Sequence, residues 1–379
     1  ASSVLSLTNG NYTVSGKKAN IVTNLGTVNT NNGTYNIDGE ESNGINNQAG
    51  GVLTVNGGTF TVKGKNANII ANAGNAHIKG GATLTVDSGS DKSNAIYNAG
   101  AKLSISNSTI TINESTNDSN GIDNQASKDI FLDKATFNIN SDKSNGITNA
   151  GNVYFANTGD NVNTFNVNGS ESTGIYNTGK ITGSGFLFDI GAIPHSPVEI
   201  KANGIVNTNS TDDPAVSLAN GTFKIDLAES NGINNQTGGK ISLSNVNFDV
   251  NKNLSSGIQN AGTVNTTNGT FTIDGDNANG INNVTTATKA VTNGTNFTVN
   301  GDYSNGIVDG KTVTTTGGTF AINGYKSNGI VGIGGTGIKS EGTVFNISSN
   351  NSNGINNLTS GSAKVEITKH PSTLKKDEL

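Results

Sequence analysis

The stretch KSNGITNAG, residues 143–151, returns in variant form along the whole chain: ESNGINNQAG at 41–50, ESNGINNQTGG at 229–239 and NSNGINNLTSG at 351–361. Asn-Gly ordinarily marks a tight turn. Two copies, KANIVTNLG at 18–26 and NANIIANAG at 66–74, instead put Ile21 and Ile69 in the Gly146 slot, and Ala95 fills it in a third. A β-branched residue in the left-handed region would be an outlier, so the slot reads as ordinary extended backbone. Strand alternation then turns Asn145, Ile147 and Asn149 to one side and Gly146 and Thr148 to the other. Because Ile147 must face the core, the glycines are expected to face outward. Gly44, Gly121, Gly146, Gly174, Gly204, Gly232, Gly257, Gly280, Gly306, Gly329 and Gly354 would form a stripe poor in side chains. Such a stripe is a candidate contact surface, since another backbone or a flat ligand can approach it closely; relief of crowding on a tightly coiled face is its plainer reading.

Working outward from this phrase, the apolar residue after the slot recurs at Val22, Ile45, Ile70, Ile96, Ile122, Ile147, Ile175, Ile205, Ile233, Ile258, Ile281, Ile307, Ile330 and Ile355, 23 to 30 residues apart. Ahead of each lies a phrase of the GTFTV type, centred on Tyr12, Tyr35, Phe60, Leu84, Ile110, Phe137, Phe165, Phe188, Phe223, Phe248, Phe271, Phe297, Phe320 and Phe345. Two residues later comes Val or Ile every time, a half-buried strand pattern. A looser apolar pair, as in Leu103–Ile105, Ile130–Leu132 and Ile241–Leu243, supplies a third strand.

This repeat predicts an all-β fold: a right-handed parallel β-helix of about 14 coils of roughly 25 residues, with three short strands per coil. At about 4.8 Å per coil the rod would be roughly 65–70 Å long. Stacking equivalent positions predicts an internal aromatic ladder through Phe60, Phe137, Phe165, Phe223, Phe271, Phe320 and Phe345. The Asn residues two before and two after the anchor are expected to form two inward amide ladders serving the turns. Residues 1–367 read as a single helix with a loop insertion at about 191–201, and 368–379 as a tail or truncated next coil.

Composition narrows the function. The net charge of −5 gives no electrostatic case for nucleic acid. There is no Cys, and hence no disulfide or thiolate metal site; there is no Arg, and hence no bidentate phosphate or carboxylate clamp. No apolar run reaches membrane-spanning length, so no membrane contact by this segment is expected. Without Met, the chain is expected to be a processed or excised segment. No cofactor is implied, and His77 and His370 lack metal-site spacing.

Three features could carry chemistry. Asp189, Lys224 and Asp249 fall at one outward slot on successive coils; they suit either a solvated ion-pair ladder or the carboxylate cluster of a polysaccharide-cleaving enzyme. One coil is irregular, with 17 positions between Phe188 and Ile205, and its loops carry Pro194, His195, Pro197, Asp212 and Asp213 as a candidate functional loop. Outward Thr residues make partial T-x-T arrays such as Thr59–Thr61, a feature of ice-binding solenoids but here interrupted by Asn, Asp and Lys. The terminal KDEL looks like a retention signal, yet sequons at Asn32, Asn220, Asn268, Asn293 and Asn357 argue against passage through that compartment.

With its SNGI-N and GTF-x-[VI] phrases and no Cys, essentially the whole chain resembles the passenger domain of a large bacterial autotransporter adhesin. The resemblance is architectural, so no functional residues carry over. It implies a non-enzymatic rod, secreted to the bacterial cell surface and anchored in the outer membrane through a missing C-terminal region. Its partners would be a host or bacterial cell-surface protein, a glycan, or another copy of itself. A polysaccharide lyase or hydrolase and a pure spacer stalk are the alternatives.

Overall fold

A computed structural model describes residues 3–87, 89–113, 118–156, 162–191, 201–334, 337–358 and 364–369. Among these residues every regular element is a β-strand, and every pairing is parallel. The five-residue strands that carry the anchors, such as Asn145–Asn149, form one sheet of 14 strands in strict chain order. The remaining strands form the other walls of a solenoid of about 14 turns, each turn about 25 residues after the last. Register is in phase from coil to coil, with Ile122 beside Ile147 and Phe137 beside Phe165.

Three short strands per coil hold along much of the rod, as in Asn68–Asn72, Asn75–Lys79 and Thr83–Val86. In five coils the second and third strands instead run on without a break, as Lys102–Ile112, Asp129–Ile139, Lys180–Ile190, Val216–Ile225 and Lys240–Val250. The bend is then absorbed by one residue at positive φ, such as Asn107 (43°) or Asn245 (52°), or in Lys180–Ile190 by Gly183 and Gly185, rather than by a loop.

The core is a set of stacked columns. Nine rings from Phe137 to Phe345 lie face to face, with centroids 4.5–5.1 Å apart. Tyr12, Tyr35 and Phe60 make a shorter stack at 4.9 and 4.3 Å, and Leu84 and Ile110 separate the two. Each stacked pair adds about 0.5–1.5 kcal/mol beyond burial. The Val or Ile two residues after each ring is also buried over most of the rod, as the alternating pattern requires.

The glycine slot corrects the sequence reading. None of these glycines has positive φ, so the slot is not left-handed; in KSNGITNAG the left-handed residue is Lys143, at 53°. The glycines nevertheless point inward. Gly44, Gly121, Gly146, Gly174, Gly204, Gly232, Gly257, Gly280, Gly306 and Gly329 are buried, and Gly354 in the last anchor strand is half-buried. A Cβ on Gly280 would lie 2.6 Å from the Gly306 carbonyl and 3.0 Å from the Phe297 ring of the next coil. The same meeting with the next ring holds at Gly174, Gly204, Gly232, Gly257, Gly306 and Gly329. Slot and ring therefore share one space. The two fully buried substitutions obey this rule: the coil after Ile69 carries Leu84, and the coil after Ala95 carries Ile110. Ile21, half-buried near the start of the rod, is followed by the ring of Tyr35 and does not.

Alternation fails here because the strand is short and bent. The ladder pairs Asn120 with Asn145 and Ile122 with Ile147 but skips the glycine between them, so Gly146 and Ile147 both face in. This also splits the two Asn columns. The later Asn is buried: Asn24, Asn47, Asn72, Asn98, Asn124, Asn149, Asn177, Asn207, Asn235, Asn260 and Asn283 form one chain, each Nδ2 donating to the next Oδ1 at 2.7–2.9 Å. Several also donate to their own corner, as Asn177 Nδ2 does to the Gly179 carbonyl at 2.9 Å. The earlier Asn faces the surface, and its ladder runs the opposite way, with Asn68 Nδ2 donating to Asn43 Oδ1.

A further buried column was not anticipated. Ser42, Ser93, Ser304 and Ser327, three residues before their anchors, each accept a backbone N–H from the preceding coil and donate to a carbonyl of that same coil's corner. Ser327 Oγ, for example, accepts from the Ser304 N–H and donates to the Gly301 carbonyl. These hydroxyls satisfy corner backbone that burial would otherwise leave unpaired.

Candidate functional site

The interior is consumed by these columns, so any site lies on the outer faces and corners. The charge ladder is where the register predicted it. Asp189 pairs with Lys224, and Lys224 with Asp249, across adjacent strands. The closest ion pair is to a residue the sequence reading passed over: Lys224 Nζ lies 2.6 Å from Asp226 Oδ2 and 3.7 Å from Asp189 Oδ1. Asp189 Oδ1 is buried without a hydrogen bond. Burial pushes the Asp189 carboxyl up from its ordinary value against the pull of Lys224. Burial, reinforced by Asp274, does the same to Asp249. At Asp226 burial also pushes up, but the bonds from Lys224 and Asn251 outweigh it and hold that carboxyl low. The bond to Asp226 in turn raises Lys224. One lysine thus pairs with two carboxylates and acts on a third, Asp249, only at longer range, the arrangement of a surface ion-pair network.

The candidate loop residues separate. Asp212 and Asp213 sit in the corner between the strands Asn203–Asn207 and Val216–Ile225, whereas Pro194, His195 and Pro197 belong to the connection before Asn203 and lie outside the described residues. Asp213 forms an exposed ion pair with Lys240 at 3.1 Å. Asp212 turns back: its Oδ2 accepts from Asn209 Nδ2 at 2.7 Å, while Asn209 Oδ1 accepts from the Thr211 and Asp212 N–H groups. The Thr array is in register as Thr59, Thr83, Thr109, Thr136 and Thr164. His77 lies in a shallow groove with Val52, Asn75, Lys102 and Ser104, and burial holds its imidazole below the ordinary value, with Lys79 and Lys102 adding to the effect.

One feature was not singled out from the sequence. Phe131 and Tyr154 face outward on adjacent strands and stack at 4.8 Å, with Lys102 Nζ 4.8 Å from the Phe131 centroid. The next residue in that column is Thr182, a short side chain. Tyr154 lines a polar groove of about 470 Å³ that crosses four coils and ends at Asp212. The signal was present in the phrases IFL at 130–132 and VYF at 153–155, where alternation puts the middle ring outside.

No family model, curated protein or solved structure is significantly similar to this chain. Among the described residues no group of three or more His, Asp or Glu side chains is placed to hold a metal ion, and no helix is long and apolar enough to cross a membrane.

Proposed function

We propose that the chain is a non-enzymatic rod of the bacterial cell surface, presenting outer-face binding surfaces for adhesion or self-association. The observation that carries this reading is the division of labour in the coil. Most coils spend the side chains of their repeated inner positions, ring, Gly, Ser and Asn, on stacking to their neighbours, while many outward positions, such as Thr111–Asn138 and Lys224–Asp249, change from coil to coil. Such a solenoid is a scaffold on which surface composition varies without disturbing the core. The anchoring to an outer membrane and the autotransporter route of export belong to the same proposal.

The rivals are a polysaccharide-cleaving enzyme centred on Asp189 and a spacer stalk. The test is competition: the purified chain should block attachment of cells that display it, or should self-associate in sedimentation. A chain that does neither is a spacer. Cleavage of any glycan in a turnover screen, abolished by Asp189→Ala, would replace the adhesin reading with the enzymatic one.

A further inference from the structure

We infer that the groove between Asp129 and Asp212 binds a neutral oligosaccharide, with Tyr154 as its stacking platform; this rests on the surface-binding reading above and names the partner's chemistry. The groove follows the corner after the anchor strands. Its floor is low because Ala150, Gly151 and Gly179 have little or no side chain. The corners at 150–151 and 178–179 are short, whereas the corner from Asn207 to Val216 is extended and makes an end wall. That wall is rigid for a corner: Asn209 is buried, donates to the Gly179 carbonyl and holds both Thr211 and Asp212.

The lining matches a sugar better than a protein. A pyranose presents C–H groups on its flat face and hydroxyls at its rim, so it calls for an aromatic face edged by groups that donate and accept. Tyr154 supplies the ring: its one face is covered by Phe131, and towards the next coil the column continues with the short Thr182. Around it stand the hydroxyls of Ser127, Thr178 and Thr211, the amide of Asn152, the carboxylates of Asp129 and Asp212, and the Lys180 ammonium. Asp129 Oδ1 accepts from Asn152 Nδ2 at 2.8 Å and Asp212 Oδ2 from Asn209, so each carboxylate is oriented by one amide. Protein interfaces favour several aromatics, Met and Arg; this groove has one ring, and the chain has neither Met nor Arg. Two carboxylates against one lysine disfavour a polyanionic glycan.

The test is calorimetry and saturation-transfer NMR with hexasaccharides of β-1,4-linked glucose, α-1,4-linked glucose and N-acetylglucosamine, and with polygalacturonate as the anionic probe. At least one neutral probe should bind saturably. Tyr154→Ala should weaken it at least tenfold, and so should Thr178→Lys, which places a long side chain in the groove from an exposed position. Tyr325→Ala, an exposed ring on another corner, should leave binding unchanged. Circular dichroism melts establish that each variant is folded, and Thr178→Lys decides the matter if Tyr154→Ala is not. Absence of binding by every neutral probe, binding indifferent to both groove variants, or tighter binding of polygalacturonate overturns the inference. A Tyr154-dependent sugar interaction in a chain that fails to block cell attachment would leave the groove standing and remove the adhesion reading.

Discussion

The stretch from Ile69 to Ile110 and the stretch from Phe137 to Phe345 solve one packing problem in two ways. In the later stretch each coil offers a ring, and the preceding coil offers a glycine beneath it. In the earlier stretch the ring gives way to Leu84 and Ile110, and the slot fills with Ile69 and Ala95; both slot residues are completely buried. Volume is conserved between neighbours in adjacent coils rather than at either position alone, as a close-packed interior demands. The glycine is therefore the complement of the ring, and not a feature of the turn or of the outer surface.

The largest test of this difference is truncation on each side of it. Phe271→Ala should cost about 3–5 kcal/mol in urea unfolding, because it removes a buried ring stacked on both faces. Ile110→Ala should cost less, and equal losses would show that the ring stack adds nothing beyond burial.

A smaller effect addresses the shared space directly. Gly280→Ala should destabilise by about 1–3 kcal/mol, because the added methyl meets the Gly306 carbonyl and the Phe297 ring. In a Phe297→Leu background, which imitates the Ile69–Leu84 region, the same substitution should cost distinctly less, with a coupling of about 0.5–3 kcal/mol. Strict additivity in that double-mutant cycle would break the comparison.

The polar core supplies the smallest test. The buried amide column that serves both stretches ends at Asp309, which is 1% exposed. Its Oδ1 accepts from the Lys311 N–H, and burial pushes the carboxyl up from its ordinary value despite that bond and one from Asn283. A carboxyl whose folded value is raised contributes stability that is full at acid pH and is lost as pH rises through that value. Asp309→Asn should extend the amide column and gain about 1 kcal/mol at neutral pH. The gain should shrink on acidification, as the native carboxyl takes up its proton, and pH-resolved thermal melts would show it. A gain independent of pH would mean that the carboxyl is not the cause.

How much was legible depended on whether a position is governed by its own coil's pattern or by its neighbours. The alternation of Phe137 and Ile139 with Thr136 and Asn138 declares an inward ring from four residues alone, and Phe131 could have been read outward in the same way from IFL. Asp212 was singled out for its place in an irregular coil, but its position at the end of a groove depends on Tyr154 and Lys180 in earlier coils, which no local pattern joins to it.

The sequence by itself determined the repeat: the number of coils, their parallel in-phase register and the identity of the ring column. These follow because stacking places equivalent residues at one height, so periodicity is geometry. Only the tertiary structure decided which way the glycine faces, which Asn of each pair is buried, and where second and third strands fuse. Each of those depends on how a five-residue strand bends between two corners. A bend cancels the simple two-residue alternation, letting Gly146 and Ile147 share the inside while Asn145 stays at the surface.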